Sequence, residues 1–436
     1  NSSSNKLWLK ADALSSFNDG DPIESWLDIS GNNNNATQTS ESCKPLYKIN
    51  ILNNNPSLRF DGSNDFMTVA STTWGTNFSI FTVVVPRAAL DAHNRILETS
   101  YSAHFYLGSG SGEATDCFKF IVNNGSANGA KTGTLTNGNP DIISAVYNGS
   151  SNIYENESSP GTYANTTPAS STYLLSIAKY VSGASNYFNG DIAEIIIYNT
   201  SVNSSQRIIL NNYLSAKYNI TLSANDKYSH DATHPHELAG IGSESDGSNT
   251  SATSSGILNI SGASSLDAGD YLLFGHDKGA IDSWTLTESY NGTDKRISRE
   301  WKVSKTNDPG TVTITLDIST LPYNASHDYF LLVDADGDFS GGATSYTLTE
   351  TGNNTFASTG ITLSDGDYIT FATTQCSTNP GTIAAADTLI YSGESLNLSV
   401  SGYTTGASLQ WQQSSGGVYS DISGETGTNY TTGALT

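Results

Sequence analysis

The stretch FNGDIAEIIIYNTSVNSSQRIILNNYLSAKYNI, residues 188–220, decides the fold of this chain. Its first part is an apolar, β-branched run at residues 192–198 that follows a Gly-Asp turn and predicts a buried strand. Its second part predicts a helix, because Asn203 and Gln206 have the spacing of a capping box and Asn219 suits a left-handed C-cap. Apolar residues recur between these caps at helical spacing, so one stripe of the helix should be buried. We therefore expect this stretch to end one β-domain and to attach it to the next.

The composition is typical of an extracellular β-protein. A chain of 436 residues is too long for a single core, so we expect two or three domains. The formal net charge of −23, with only 19 Lys and Arg residues, would repel phosphate backbones and argues against nucleic acid as a partner. No apolar run approaches the roughly 20 residues of a membrane span, so we expect no direct membrane insertion. The chain is expected to be a mature segment of a larger secreted protein at the cell surface.

The chain has three cysteines, Cys43, Cys117 and Cys376. This number is too small for a disulfide scaffold and leaves at least one thiol without a partner inside the chain. A bridge between Cys43 and Cys117 is one open alternative.

Residues 1–222 contain many short apolar runs separated by Gly, Asn and Ser loops, which predicts a sandwich or jelly roll. Three segments, LWLKADALSSFNDGDPIESWLDISG (7–31), PSLRFDGSNDFMTV (56–69) and GDIAEIIIYN (190–199), resemble the laminin-G/concanavalin A-like domains of Bacteroidetes-type cell-surface adhesins. The residues that carry the resemblance are Trp8, Asp12, Trp26, Asp28, Gly31, Phe60, Asp61, Gly62 and Asp191. The resemblance implies a concanavalin A-like jelly-roll sandwich, a fold that hosts lectins, glycosidases and spacers alike.

Residues 223–374 continue as β-structure. The run Val312–Ile318 alternates apolar and polar residues, which predicts a half-buried antiparallel strand. The segments AGIGSESDG (239–247) and RISREWKVSKTNDPGTVTITLDIS (296–319) resemble the β-module that follows the laminin-G-like domain in these adhesins. That module has no assigned catalytic role, so the resemblance implies architecture rather than chemistry.

Residues 375–436 resemble the immunoglobulin-like repeats of the same adhesins, in which a tryptophan in the third strand packs on the core. Trp411 holds that position here. Such domains run to about 100 residues, so we expect this one to be incomplete. Its apolar residues should then face water on one side; they are Leu396, Leu398, Val400, Leu409 and Trp411.

The best candidate for a metal site is the loop VDADGDFSGG, in which Asp334, Asp336 and Asp338 alternate directly after an apolar strand. Converging carboxylate oxygens are what calcium prefers, so the loop predicts calcium as the cofactor. It departs from an EF-hand loop, because Gly337 stands at position four and Ser345 stands where a bidentate Glu would be. The alternative is a hydrated acidic turn between strands.

A second cluster, His230, His234 and His236, could hold zinc by residue type. Its polar, proline-containing surroundings favour an ordinary loop instead. Neither a nucleophile elbow nor a glycine-rich phosphate loop occurs in the chain.

Glycosidases of this sandwich type need two carboxylates on one strand face, in the pattern E-x-D-x-x-E, which is absent. Asp191 and Glu194 are three residues apart, and in a regular extended strand they would lie on opposite faces. We therefore expect no enzymatic activity and assign no catalytic residue. Aromatic residues at Trp74 and at positions 104–106 could stack on sugars, or they could belong to the core.

Together these observations predict an all-β chain of three domains, with boundaries at 1–222, 223–374 and 375–436 and a short helix at the first junction. The expected function is that of a non-enzymatic fragment of a cell-surface adhesin that displays a ligand-binding sandwich. The alternative is a carbohydrate-binding lectin module with its glycan site on the first domain. Expected partners are a surface glycan or protein ligand, the continuation of the same chain, or other cell-surface proteins.

Overall fold

The structure is a computed structural model. It describes residues 4–88, 94–100, 103–109, 117–123, 128–134, 136–164, 167–168, 170–321, 328–352, 354–374, 382–386, 391–403, 408–415 and 418–434. Residues 1–323 and 329–372 form one compact unit, and residues 324–328 and 373–436 form another. Among the described residues, no helix has the length and hydropathy needed to cross a bilayer.

The predicted all-β class is confirmed, and the described residues of the first domain form a sandwich of two eight-stranded sheets. Its strands are β1 (Asn5–Lys10), β2 (Ser25–Trp26), β3 (Ala36–Thr37), β4 (Leu46–Leu52), β5 (Asn55–Asp61), β6 (Met67–Trp74), β7 (Phe78–Pro86), β8 (Arg95–Glu98), β9 (Phe105–Ser109), β10 (Phe118–Val122), β11 (Ala130–Lys131), β12 (Asp141–Tyr147), β13 (Ser150–Glu155), β14 (Gly161–Ala164), β15 (Ser171–Ile177) and β16 (Asn189–Tyr198). Two short 3₁₀ helices lie at Ala11–Ala13 and Glu41–Cys43.

Strand β16 is the centre of one sheet, whose order is β14-β13-β12-β7-β16-β5-β4 with β1 also paired to β16. The other sheet has the order β11-β10-β9-β8-β15-β6-β3-β2. The inner faces of the two sheets enclose one core, which includes Trp26, Trp74, Phe78 and Phe105. Because sequence neighbours are often not sheet neighbours, the chain alternates between the layers, as the predicted jelly roll requires.

Helix α1 (Ser204–Tyr218) begins and ends as the sequence predicts. The Asn203 side chain accepts a hydrogen bond from the Gln206 backbone, the Gln206 side chain bonds back to Asn203, and Asn219 is left-handed with a φ of 53°. The predicted stripe is buried, with Ile209, Tyr213, Leu214 and Tyr218 buried and Leu210 half-buried, and burial extends beyond it to every residue from 211 to 218. The helix lies between the outer face of the first sheet and the second domain, so both sides are covered.

In the part of the chain that the structure describes, the second domain is built from one continuous sheet of thirteen strands. They are β17 (His236–Glu244), β18 (Gly247–Asn249), β19 (Ser251–Ser254), β20 (Leu258–Ser261), β21 (Tyr271–His276), β22 (Trp284–Thr285), β23 (Lys295–Ile297), β24 (Trp301–Thr306), β25 (Val312–Asp317), β26 (Tyr329–Asp334), β27 (Thr344–Gly352), β28 (Thr355–Ile361) and β29 (Tyr368–Thr373). The first half of β27 pairs with β26 and its second half with β28, so this strand passes from one layer to the other. The layers share one core that includes Trp301, Ile314 and Phe371. As predicted, burial alternates along β25.

The described residues of the second compact unit form two small sheets, β30-β31-β34 and β32-β33. Their strands are β30 (Thr382–Ala385), β31 (Asn397–Ser401), β32 (Gln412–Ser415), β33 (Val418–Asp421) and β34 (Asn429–Thr431). Trp411 is only 8% exposed; it stacks on Tyr430 and donates its indole N–H to the Gly427 carbonyl at 2.8 Å. The expectation that Trp411 faces water is therefore wrong, because backbone and Tyr430 cover it. The residues Leu396, Leu398, Val400 and Leu409 are half-buried.

Cys43 and Cys117 do not form a disulfide with each other. Cys43 is half-buried and Cys117 is buried. Cys376 lies outside the described residues.

Candidate binding cleft

A cleft of about 1020 Å³ lies where β1, β16 and α1 of the first domain meet β17 and β19 of the second. Its apolar wall includes Leu210 and Tyr213 from the helix and Leu238 from β17. The side chains that give the cleft its charge are Lys10, Glu237 and Arg299. Of the described residues that line it, Glu237 alone carries a carboxyl group.

Trp8 and Lys10 reach the cleft because β1 alternates. Leu7 and Leu9 are fully buried in the core of the sandwich, so the residues between them point to the other face of the sheet. Trp8 meets the ring of Tyr213 edge to face, with ring centroids 6.3 Å apart. The Lys10 ammonium lies 5.9 Å from the centroid of the Trp8 ring. The first strand therefore supplies the cleft with an aromatic edge and a cation.

Glu237 stands at an irregularity of β17, where the pairing with β21 shifts between His236 and Ala239. Its φ is 45°, a left-handed conformation that a non-glycine residue rarely adopts. Such conformations persist where the surrounding fold imposes them, and they concentrate at binding and catalytic sites. The irregularity turns the Glu237 side chain toward solvent in the cleft.

The Glu237 carboxylate is held ionised by its neighbours. Its Oε2 lies 3.5 Å from Nε2 of His276, and this contact lowers the pKa of Glu237 to about 2. Burial lowers the pKa of His276, so its imidazole is neutral near pH 7 and presents an N–H rather than a charge. Arg299 donates to the Ser255 hydroxyl at 2.7 Å and to the Gly279 carbonyl at 2.8 Å, which fixes its guanidinium in the cleft that Glu237 also lines.

Behind the cleft wall lies a set of buried and half-buried polar side chains, which we call the Glu194 cluster: Trp8, Asp12, Glu194, Tyr213, Lys217 and Tyr218. One oxygen of Glu194 accepts from the Trp8 indole at 2.6 Å and the Tyr213 hydroxyl at 2.9 Å. The other accepts from the Lys217 ammonium and the Tyr218 hydroxyl, both at 2.8 Å. Four donors thus satisfy a carboxylate that is fully buried.

Protonation in the Glu194 cluster follows from burial and charge together. Burial raises the pKa of Tyr213 and Tyr218 well above its usual range, and the nearby Glu194 charge raises it further, so both phenols remain donors. Burial alone would lower the pKa of Lys217, but the carboxylates of Glu194 and Asp12 outweigh it and the pKa is raised. The resting cluster therefore contains an ammonium group between two carboxylates.

The candidate calcium residues lie in the turn between β26 and β27. Asp334 accepts from the backbone N–H groups of Asp336 and Gly337, each at 2.8 Å. Asp336 accepts from the Asp338 N–H at 2.9 Å, and Asp338 accepts from the Ser340 N–H at 3.0 Å. These are successive Asx turns, in which each carboxylate stabilises the loop itself. Across the described part of the chain, no three His, Cys, Asp or Glu side chains are grouped closely enough to hold a metal ion.

Calcium binding at this loop stays a prediction. If Asp334, Asp336 and Asp338 bind the ion, calcium should stabilise the folded chain by about 2.7 kcal/mol at 100 times its Kd. Thermal melts of the full chain in calcium and in chelator measure this, and Asp336→Asn should abolish the difference. Equal melting temperatures in the two buffers would contradict the prediction.

The three histidines expected as weak zinc candidates make separate contacts. His230 Nε2 lies 3.1 Å from the Val303 carbonyl, and His234 Nδ1 lies 2.9 Å from the Thr233 hydroxyl. Burial lowers the pKa of His234 to about 4. His236 instead faces the ring of His276, with centroids 5.7 Å apart.

The expectation that Asp191 and Glu194 lie on opposite faces of β16 is wrong. A β-bulge places Ala193 as an extra residue between the pairs Ile192–Val84 and Glu194–Val83, which reverses the alternation. Both carboxylates are therefore on the outer face of the sheet. Asp191 forms an ion pair with Arg59 at 2.7 Å, whereas Glu194 belongs to its own cluster, so the two do not act together.

Trp74, His104, Phe105 and Tyr106 are fully buried or nearly so, which assigns these aromatics to the core.

Sequence reasoning missed Lys10, Glu237 and Arg299 as cleft residues. In the run LWLK, the two leucines alternate with Trp8 and Lys10. This pattern already indicates that Trp8, a large aromatic residue, and Lys10 point away from the core. No comparable signal marks Glu237, because its position depends on an irregular pairing.

Two family models match parts of the chain, and both describe only a domain of unknown function: DUF8202 at residues 242–367 and DUF8696 at residues 379–436. No curated protein matches the chain.

Several solved structures are similar at low identity. Domain 4 of an extracellular arabinanase from Geobacillus stearothermophilus, solved with arabinotriose, is 12% identical, with 46% of this chain and 94% of that one covered and a TM-score of 0.37. The receptor-binding domain of botulinum neurotoxin D is 12% identical, with 94% and 89% covered and a TM-score of 0.35. Trypanosoma rangeli sialidase is 12% identical, with 47% of this chain but only 32% of the sialidase covered and a TM-score of 0.29.

Proposed function

We propose that this chain is a non-enzymatic binding module of an extracellular cell-surface adhesin and that it binds its ligand in the cleft at the junction of the first two domains. The observation that carries the proposal is the composition of the cleft wall. It offers Lys10 and Arg299 as cationic donors, Glu237 as an ionised acceptor, and apolar surface from Leu210 and Tyr213. Such a mixture of a few directed polar groups and apolar area is typical of ligand sites.

The carboxyl content of the cleft wall favours ligand binding over hydrolysis. Glycoside hydrolysis in its usual form needs two carboxyl groups, one of which must be protonated. Glu237 is the one carboxyl group among the described lining residues, and its lowered pKa keeps it ionised. It can therefore accept hydrogen bonds from a ligand but is a poor proton donor.

A glycan is the ligand class that we favour, as in the lectin alternative. Sugar hydroxyls pair with carboxylate, guanidinium and amide groups, and the apolar face of a sugar ring packs on aromatic side chains. In the cleft, Glu237, Arg299 and Asn249 can pair with sugar hydroxyls. Trp8 and Tyr213 supply aromatic surface for the sugar ring. A protein ligand is the second candidate, and the adhesin role accommodates either.

The test is a glycan array probed with the full chain, followed by titration of any glycan bound. Losing a charged hydrogen-bond partner costs about 1.5–3 kcal/mol, so Lys10→Ala and Arg299→Ala should each weaken binding roughly tenfold or more. Lys48→Ala is the matched control, because Lys48 pairs with Asp19 and does not line the cleft. Glycan binding that survives both cleft variants would place the site elsewhere. Binding only to a protein ligand would favour the second candidate.

A further inference from the structure

Lys217 and Asp12 lie close enough to react with each other. The Lys217 Nζ is 2.9 Å from Asp12 Oδ1, and 205 residues of chain separate the two. The same nitrogen is 2.8 Å from Glu194 Oε2. The Lys217 amine therefore contacts the Asp12 carboxyl group, which could be its electrophile. It also contacts the Glu194 carboxyl group, which could accept and return its protons.

The surroundings fix these groups and exclude water from two of them. Glu194 is fully buried and Lys217 is 9% exposed. Trp8, Tyr213 and Tyr218 hold the Glu194 carboxylate in place through the other hydrogen bonds of the Glu194 cluster. Such fixed contact replaces a bimolecular encounter, and effective molarities for well-oriented groups reach about 10⁵–10⁸ M.

We propose that Lys217 and Asp12 condense to an intramolecular amide, with Glu194 as the catalytic residue that moves the protons. The Lys217 ammonium gives one proton to Glu194, and the neutral Nζ attacks Cγ of Asp12. The new C–N bond forms as a C–O bond of Asp12 breaks. The departing oxygen takes the proton held by Glu194 and a second proton from the attacking nitrogen, and leaves as water. Glu194 returns to its carboxylate form, and the reaction needs no oxidant, reductant or co-reactant.

The charge balance of the cluster permits this sequence. Before the proton moves, the cluster holds one ammonium group and two carboxylates. Afterwards it holds one neutral amine, one carboxylate and one carboxylic acid. The net charge is the same in both states. Moving the proton from Lys217 to Glu194 therefore places no additional net charge in the interior. Lys10 serves as an internal comparison, since its Nζ is 3.9 Å from Asp12 Oδ2 but it is half-buried rather than buried and has no bond to Glu194.

Intact-mass spectrometry of the denatured full chain tests the amide directly. We expect a mass lower than that of the sequence by one water, about 18 Da. Trypsin should fail to cleave after Lys217, and the digest should contain a branched peptide that joins the segment beginning at Ala11 to the segment beginning at Ile208. A folded chain with the full sequence mass would overturn the proposal, as would a water loss that maps to any other pair of residues.

Three variants separate the roles of the groups. Lys217→Arg retains the charge and should have the full mass. Glu194→Gln retains hydrogen-bonding atoms but cannot shuttle the proton, so it should also have the full mass while far-ultraviolet circular dichroism shows the wild-type fold. Asp12→Asn should lose ammonia, about 17 Da, in place of water if the same carbon is attacked. Amide formation at an unchanged rate in folded Glu194→Gln would remove Glu194 from the mechanism. If that variant does not fold, the wild-type mass and the Lys217→Arg control still decide whether the amide exists.

Discussion

Replacing Leu214 with alanine should lower the free energy of unfolding by about 2–5 kcal/mol, the range for removing a buried leucine side chain. Leu214 is fully buried in the cluster shared by the first sheet, the helix and the second domain. Truncating it would leave a cavity with protein on both sides of the helix, and neither side can close it without moving a sheet. Urea denaturation followed by tryptophan fluorescence measures the change.

Leu210→Ala is the matched control on the same helix. Leu210 is half-buried and lines the cleft, so its truncation removes less buried surface and should cost clearly less than Leu214→Ala. Equal unfolding midpoints for Leu214→Ala and the wild type would show that the helix is not part of the core.

Replacing Arg207 with methionine should cost about 3–5 kcal/mol, the range for breaking one side of a buried ion pair. Arg207 is paired with Glu157, and the same carboxylate accepts from Asn211 and, at 3.1 Å, from Asn225. Without the guanidinium, the 2% exposed Glu157 would retain a charge with only amide partners. Unfolding free energies from denaturant titration near pH 7 measure the loss.

Two comparisons isolate this buried pair. The double variant Arg207→Met with Glu157→Met should recover much of the stability, since replacing both partners removes the uncompensated charge. Lys48→Met breaks an exposed pair with Asp19 and should change stability by about 0–1 kcal/mol. A loss for Arg207→Met no larger than that of Lys48→Met would contradict the role given to Glu157.

The features that the sequence predicts well are local ones. The capping box needs only Asn203 and Gln206, which are neighbours on one turn, and the left-handed end needs only Asn219. Strand β25 shows its half-burial in its own alternation. In each case the residues that determine the structure lie within a few positions of one another, so a single sequence contains the required information.

The features that the sequence does not reveal depend on distant residues. Trp8 bonds to Glu194 across 186 positions, and Arg207 bonds to Glu157 across 50. Arg207 and Lys217 are charged residues of the helix, yet both are buried because acidic partners from other elements contact them. The bulge at Ala193 likewise arises from the pairing of β16 with β7, and it reverses the faces of Asp191 and Glu194.

The enclosure of α1 has a consequence for cooperativity. Residues from the outer face of the first sheet, the apolar residues of the helix and residues of strands β17 and β21 form one apolar cluster, which none of these elements encloses alone. Melting the second domain would expose apolar residues of the helix to water, which makes partial unfolding costly. Two sandwiches that are separate in topology should thus behave as a single thermodynamic unit, with one calorimetric transition for the compact unit of residues 1–323 and 329–372.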